Sequence, residues 1–103
     1  MLKTRTEIMD LSRYAKQTSL KDFGVEGQER LLKGRVLVVG VGGLGSWVSE
    51  LLVRAGVGRI RIVDDDSVEI SNIHRQAMYT ESDADAHRLK IDAAAERLRE
   101  IDS

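Results

Sequence analysis

The chain has 103 residues, room for one small domain, and a chain this short buries a smaller share of its surface than a larger one does. With 16 Lys+Arg against 17 Asp+Glu the net charge is -1, which removes any electrostatic reason to make nucleic acid or an anionic membrane the main partner. The absence of cysteine excludes a disulfide framework, a cysteine-based zinc site and a thiol nucleophile within these residues, and it fits a reducing compartment.

The N-terminal stretch Met1 to Ser12 has no continuous apolar run of the signal-peptide kind, and no later run approaches a membrane span. The chain therefore reads as soluble and cytoplasmic. Ile8, Leu11 and Ala15 stand at helical spacing, with Thr6 as a cap and Glu7 in the first turn, so a short helix is predicted from Thr6 to Ala15. After a break at Phe23-Gly24, a second short helix is predicted from Glu26 to Leu32, stopped by Gly34. Val36 to Val39 reads as a buried strand with no polar face, because four consecutive residues are apolar and three of them are β-branched.

From Gly43 to Ala55, Leu44, Val48, Leu51 and Ala55 form the stripe of a helix expected to cover one sheet face, ended by Gly56-Val57-Gly58. Arg59 to Val63 makes a second strand, and the order strand, helix, strand implies a parallel pair joined by a right-handed crossover. The last helix is predicted over about Ala86 to Ile101, with Ile91, Ala94, Leu98 and Ile101 on one stripe. The fold class is α/β: N-terminal helices, residues 1–34, then βαβα over residues 35–103 as the first part of a Rossmann-like parallel sheet with flanking helices. A further parallel strand is expected to follow, so the sheet is incomplete within these residues.

Chemistry concentrates between Val36 and Gln76. Gly40, Gly42 and Gly45 satisfy G-x-G-x-x-G directly after a strand and at the start of a helix, with Gly43 between them. Glycines allow a tight turn and close backbone approach, and a helix N-terminus offers unpaired N–H groups to phosphate. The bland alternative is a glycine turn used only for packing. Asp64 lies at the carboxyl end of the second strand, 19 residues after Gly45, where a carboxylate can accept ribose hydroxyls. Asp65 reads equally as part of a solvated acidic turn, while Asp66 stays with Asp64 as a nucleotide-side candidate.

Asn72, Arg75 and Gln76 follow closely, and Lys90 stands near the start of the last helix. Hydride transfer does not call for cations at the phosphates, whereas attack on an α-phosphate needs fixed charge for its oxygens, which Arg75 and Lys90 can supply. The bland alternatives are a surface ion pair for Arg75 and a solvated helix face for Lys90. Trp47 reads as helix packing, His74 and His87 as exposed or locally hydrogen-bonded, and Tyr14 and Phe23 as anchors of the N-terminal segment.

Arg13-Tyr14-Ala15-Lys16-Gln17, Gly24-Val25-Glu26-Gly27-Gln28, the loop Gly40 to Gly45, Asp64 to Asp66, and Ser71-Asn72-Ile73-His74-Arg75-Gln76 carry a resemblance over about Arg13 to Ile101. Through these motifs the chain resembles the N-terminal part of the ThiF/MoeB/HesA family, relatives of ubiquitin-activating enzymes. The resemblance implies an adenylyltransferase: the C-terminal glycine carboxylate of a ubiquitin-like sulfur-carrier protein attacks the α-phosphate of MgATP, giving an acyl-adenylate and pyrophosphate. It implies that Gly42 and its neighbours approach the phosphates, Asp64 holds the ribose, Asn72, Arg75 and Lys90 contact the phosphate region, and Gln76 supports that site.

It also implies a homodimer in which Lys16, standing where the family usually has arginine, reaches the neighbouring site. Ala86-His87-Arg88 replaces the family's glycine-containing turn, with Arg88 a substitute candidate for Lys90. No metal ligand is assigned here; the family's Mg2+-binding aspartate is expected beyond Ser103. Alternatives are a dehydratase-like enzyme that adenylates a carboxylate on modified tRNA, suggested by Gly45-Ser46-Trp47, an NAD-binding oxidoreductase, and a non-catalytic binding remnant.

Overall fold

The computed structural model describes residues 10–103. Thr6, Glu7 and Ile8, which define the start of the expected first helix, lie outside the described residues. Within the described residues the helical structure around Ala15 is a 3-10 turn at Ser12–Tyr14 followed by one helical turn, α1, at Ala15–Thr18, which runs past the expected end at Ala15. Helix α2 spans Gly24–Leu32, beginning on the glycine of the anticipated break and ending two residues before Gly34.

Strands β1, Arg35–Val39, and β2, Arg59–Val63, pair in parallel, Val36 beside Ile60 and Val38 beside Ile62. Helix α3, Gly45–Ala55, makes the crossover and ends on Gly56, whose left-handed backbone (φ +98°) closes the last turn with hydrogen bonds from its own N–H and that of Val57. Gln17 and Gln28 both donate to the carbonyl of Ala55, docking α1 and α2 on this end of α3. Tyr14 is buried and its hydroxyl bonds Asp102, which makes it the expected anchor; Phe23, just before α2, lies against Gly27.

A 3-10 turn at Ile70–Asn72, a five-residue helix α4 at Glu81–Asp85 and helix α5 at Lys90–Ile101 complete the order. Helix α5 packs on α3 and β2, and α3 packs on β1, so both belong to one helical layer. The core lies beneath it, formed by Val53, Val68, Ala94, Leu98 and neighbours, with Ile60 and Ile62 against them. No described helix is long and apolar enough to cross a membrane.

Three expectations need correction. Helix α5 starts at Lys90 rather than Ala86, because the capping box of Thr80 and Asp83 starts α4 first and His87 (φ +51°) reverses the backbone between the two helices. Helix α3 turns Ser46, Ser49 and Val53 inward, while Leu44, Val48 and Leu51 are exposed. Bonds from Ser46 to Gly42 and Ala77 fix that rotation. Strand β1 is covered on one face only, with Leu37 and Val39 exposed beside Val63 on the other.

Candidate nucleotide site

The segment from Gly40 to Leu44 leaves the carboxyl end of β1 and enters α3, the place where an α/β sheet opens a crevice. Gly40 has φ +88° and donates to the Val63 carbonyl at 2.7 Å, and a side chain on Gly45 would run into the Gly40 carbonyl. Packing therefore accounts for these two glycines. It does not account for Gly42 and Gly43, where an added Cβ would stand 3.7 Å from Gln76 Nε2 and 3.5 Å from an Arg75 guanidinium nitrogen, both ordinary separations. Their missing side chains leave bare backbone facing a glutamine and an arginine, which is what close approach of a phosphate requires.

Three side chains hold this loop. The hydroxyl of Tyr79 donates to the carbonyl of Val41 at 2.6 Å, and Asp64 Oδ2 accepts the amide of Val41 at 2.9 Å. Ser46 Oγ donates to the carbonyl of Gly42. Burial first, then the negative charges of Asp64 and Asp83, push the Tyr79 phenol above its ordinary value, so it stays a neutral donor.

Asp64 uses its other oxygen to accept the amide of Asp66 at 2.8 Å. Burial alone would push this carboxyl up, but the N–H groups of Asp66 and Val41 and the charge of Lys90 outweigh it and hold it below the usual carboxylate range. An ionised carboxylate has about four lone-pair sites, so two remain after these bonds. Ligand oxygens of Asp64, Asp65 and Asp66 lie within 4.8 Å of one another, yet Asp64 is already committed to backbone amides and Asp65 and Asp66 are exposed. The triplet works as a turn that braces the loop, and it is no fit for a dedicated metal site.

Lys90 is buried, 6% exposed, with Nζ 3.9 Å from Asp66 Oδ2, which overturns the reading of a solvated helix face. The backbone brings it there: Lys90 N–H donates to the Asp66 carbonyl and Val68 N–H to the Arg88 carbonyl, laying Leu89 against Ser67. Arg88 is no substitute, because its guanidinium is held by Asp83 at 3.1 Å and Glu96 at 2.7 Å.

Arg75 is exposed and forms no ion pair among the described residues. Gln76 is buried, and its Oε1 has no hydrogen-bond partner among the described residues. Asn72 is buried too, but its Oδ1 accepts the amide of Glu69 at 2.8 Å and closes the 3-10 turn. Trp47 is not buried packing: it is 49% exposed and its indole N–H donates to the Arg75 carbonyl at 3.1 Å.

Gly40, Gly42, Gly43, Gly45, Asp64, Asp66, Arg75, Gln76 and Lys90 thus meet at one end of the sheet. Lys16 does not join them. It is exposed on α1, beside Gln17, which caps the opposite end of an eleven-residue helix, about 16 Å long at 1.5 Å per residue. Sequence reasoning named Ser46 only within Gly45-Ser46-Trp47 and passed over Tyr79; it missed their bonds to Ala77 and Val41, 31 and 38 residues away. Tyr79 left a trace, as a hydroxyl closing the apolar run Ala77 to Tyr79 that had to find an acceptor.

A strand, a glycine loop, a helix and an acidic strand end define a Rossmann-like nucleotide-binding class. The ThiF family matches residues 14–103, and the chain belongs to that family. It is 45% identical over 91 residues to the sulfur carrier protein ThiS adenylyltransferase of Bacillus subtilis, covering 88% of this chain and 27% of that protein. To the adenylyltransferase and sulfurtransferase MOCS3-1 of Zea mays it is 48% identical over 91 residues, covering 88% of this chain and 19% of that one. Among solved structures, E. coli tRNA N6-threonylcarbamoyladenosine dehydratase TcdA in complex with ATP superposes with a TM-score of 0.78 at 32% identity, over 88% of this chain and 36% of that one. The chain spans 27% or less of the length of these two curated relatives.

Proposed function

We propose that this chain is the ATP-binding part of an adenylyltransferase acting on the C-terminal glycine carboxylate of a ubiquitin-like sulfur-carrier protein. The carrying observation is the bare backbone of Gly42 and Gly43 facing Gln76 and the guanidinium of Arg75, which has no ion pair among the described residues. The names of the relatives from Bacillus subtilis and Zea mays support the reaction class, and the ATP complex of TcdA supports the nucleotide.

MgATP is the substrate, and the metal arrives with it. The carrier's carboxylate oxygen attacks the α-phosphorus, the bond to the bridging oxygen breaks, and pyrophosphate leaves with its electron pair. Loop amides and the N-terminus of α3 receive the phosphates. Arg75 takes the charge that grows on the equatorial oxygens, and Lys90 adds positive charge beside Asp64 and Asp66. Asp64 offers its free lone pairs to the ribose, Asn72 contacts the phosphate region with Gln76 in support, and Lys16 serves a second copy in a homodimer. In this reading residues 1–34 precede the adenylation domain that begins at residue 35.

Carrier-dependent exchange of radiolabelled pyrophosphate into ATP by the full-length protein tests the proposal, and no exchange with any carrier ending in Gly-Gly would sink it. A second reading, adenylation of a carboxylate on modified tRNA, is favoured by the likeness to TcdA and by Gly45-Ser46-Trp47. Exchange driven by threonylcarbamoyl-tRNA in place of a carrier would select it.

A further inference from the structure

The first turn of α3 presents two adjacent side chains to the loop that carries Arg75. Ser46 is fully buried, and its Oγ both donates to the carbonyl of Gly42 and accepts the amide of Ala77 at 3.0 Å. Trp47 donates its indole N–H to the carbonyl of Arg75 at 3.1 Å. One helical turn is therefore bonded to the glycine loop and, at two points, to the segment that follows Asn72.

We infer that Ser46 and Trp47 are positioning residues that couple the glycine loop to the Arg75 loop, so that the guanidinium stands at a fixed place relative to the phosphates. The inference rests on the adenylation reading. Burial alone does not explain the Trp47 bond: the indole is half exposed and Arg75 is exposed, so water can satisfy both groups. What the bond adds is placement. A guanidinium on an untethered loop still binds phosphate but spends little time where charge develops, so the loss falls on the chemical step rather than on ATP binding.

The test uses the full-length protein with Ser46→Ala and Trp47→Phe, the second keeping an aromatic ring and removing only the donor. Each is expected to lower kcat for pyrophosphate exchange by about tenfold while KM for ATP moves less than about twofold. In an Arg75→Ala background neither should cause further loss, because the group they position is gone. Amide hydrogen exchange at Ala77 should accelerate by about tenfold in Ser46→Ala, reporting the coupling without reference to activity.

An equal loss with and without Arg75 would overturn the inference by showing a merely structural role. Unchanged exchange at Ala77 in a folded Ser46→Ala protein would overturn it as well, and if that variant fails to fold, Trp47→Phe decides through kcat and the Arg75 background. A wild-type protein with no pyrophosphate exchange would instead sink the adenylation reading, and the Ala77 amide would still decide the coupling.

Discussion

Arg75 and Asp64 differ in what already holds them: Arg75 has no ion pair among the described residues, while each oxygen of Asp64 accepts a backbone amide. Because Arg75 makes no ion pair within the described residues, its removal breaks none, and on the adenylation reading its effect falls on the reaction. Arg75→Ala is expected to lower pyrophosphate exchange by about a hundredfold with the melting temperature unchanged, as for other single donors aimed at a transition-state oxygen. Arg75→Lys should recover only part of the loss, since an ammonium lacks the planar fork. Asp64 behaves differently. Its carboxyl is held below the ordinary value of 3.8 in the folded chain, so its stabilising contribution is fully present above that value and is lost as pH falls through the lower, folded one. Urea unfolding followed from about pH 5 down to about pH 2 should therefore show a shallower loss of stability for Asp64→Asn than for the wild type; equal slopes would refute the assignment.

At the scale of elements, His87 occupies a left-handed position just past the end of α4, with φ +51°, where glycine carries no steric penalty. His87→Gly should raise stability by about 1 kcal/mol, read as a higher urea midpoint at constant slope. That residue also explains part of what the sequence concealed. A non-glycine turn gave no stop signal, so the last helix looked continuous from Ala86, and the capping box of Thr80 and Asp83 that begins α4 was the overlooked clue. Strands β1 and β2, the closing glycine of α3 and the stripe of α5 were legible because each leaves a local pattern. The rotation of α3 was not: Leu44, Val48 and Leu51 announce an amphipathic helix without saying which face the chain covers, and Ser46 settles it through bonds to Gly42 and to Ala77. The same division runs through the site. Its glycines and Asp64 stand out by order and spacing, while Arg75 and Lys90 were candidates that spacing left beside bland alternatives; the bonds of Ser46 to Ala77 and of Tyr79 to Val41 join positions too remote in sequence for any local pattern to reveal.

Taken whole, the described residues expose apolar surface in two places, Leu37, Val39 and Val63 on the bare sheet face and Leu44, Val48 and Leu51 at and along α3. Surfaces of this kind associate in water. Expressed as these residues alone, the chain is expected to sediment as concentration-dependent oligomers at about 50 µM, and Leu37→Lys or Leu51→Lys should shift it toward the monomer. Sedimentation as a monomer throughout would refute this. The molecule also carries its own optical reporter. Trp47 is the single tryptophan in the sequence, and its half-exposed indole is bonded to the backbone of Arg75, so all the tryptophan emission of these 103 residues arises beside the glycine loop. Any ligand that draws Arg75 toward that loop must alter the polarity around this ring. If the proposed nucleotide binds there, its affinity for these 103 residues can be followed without a label by the wavelength of one fluorophore, before any carrier or acceptor is in hand.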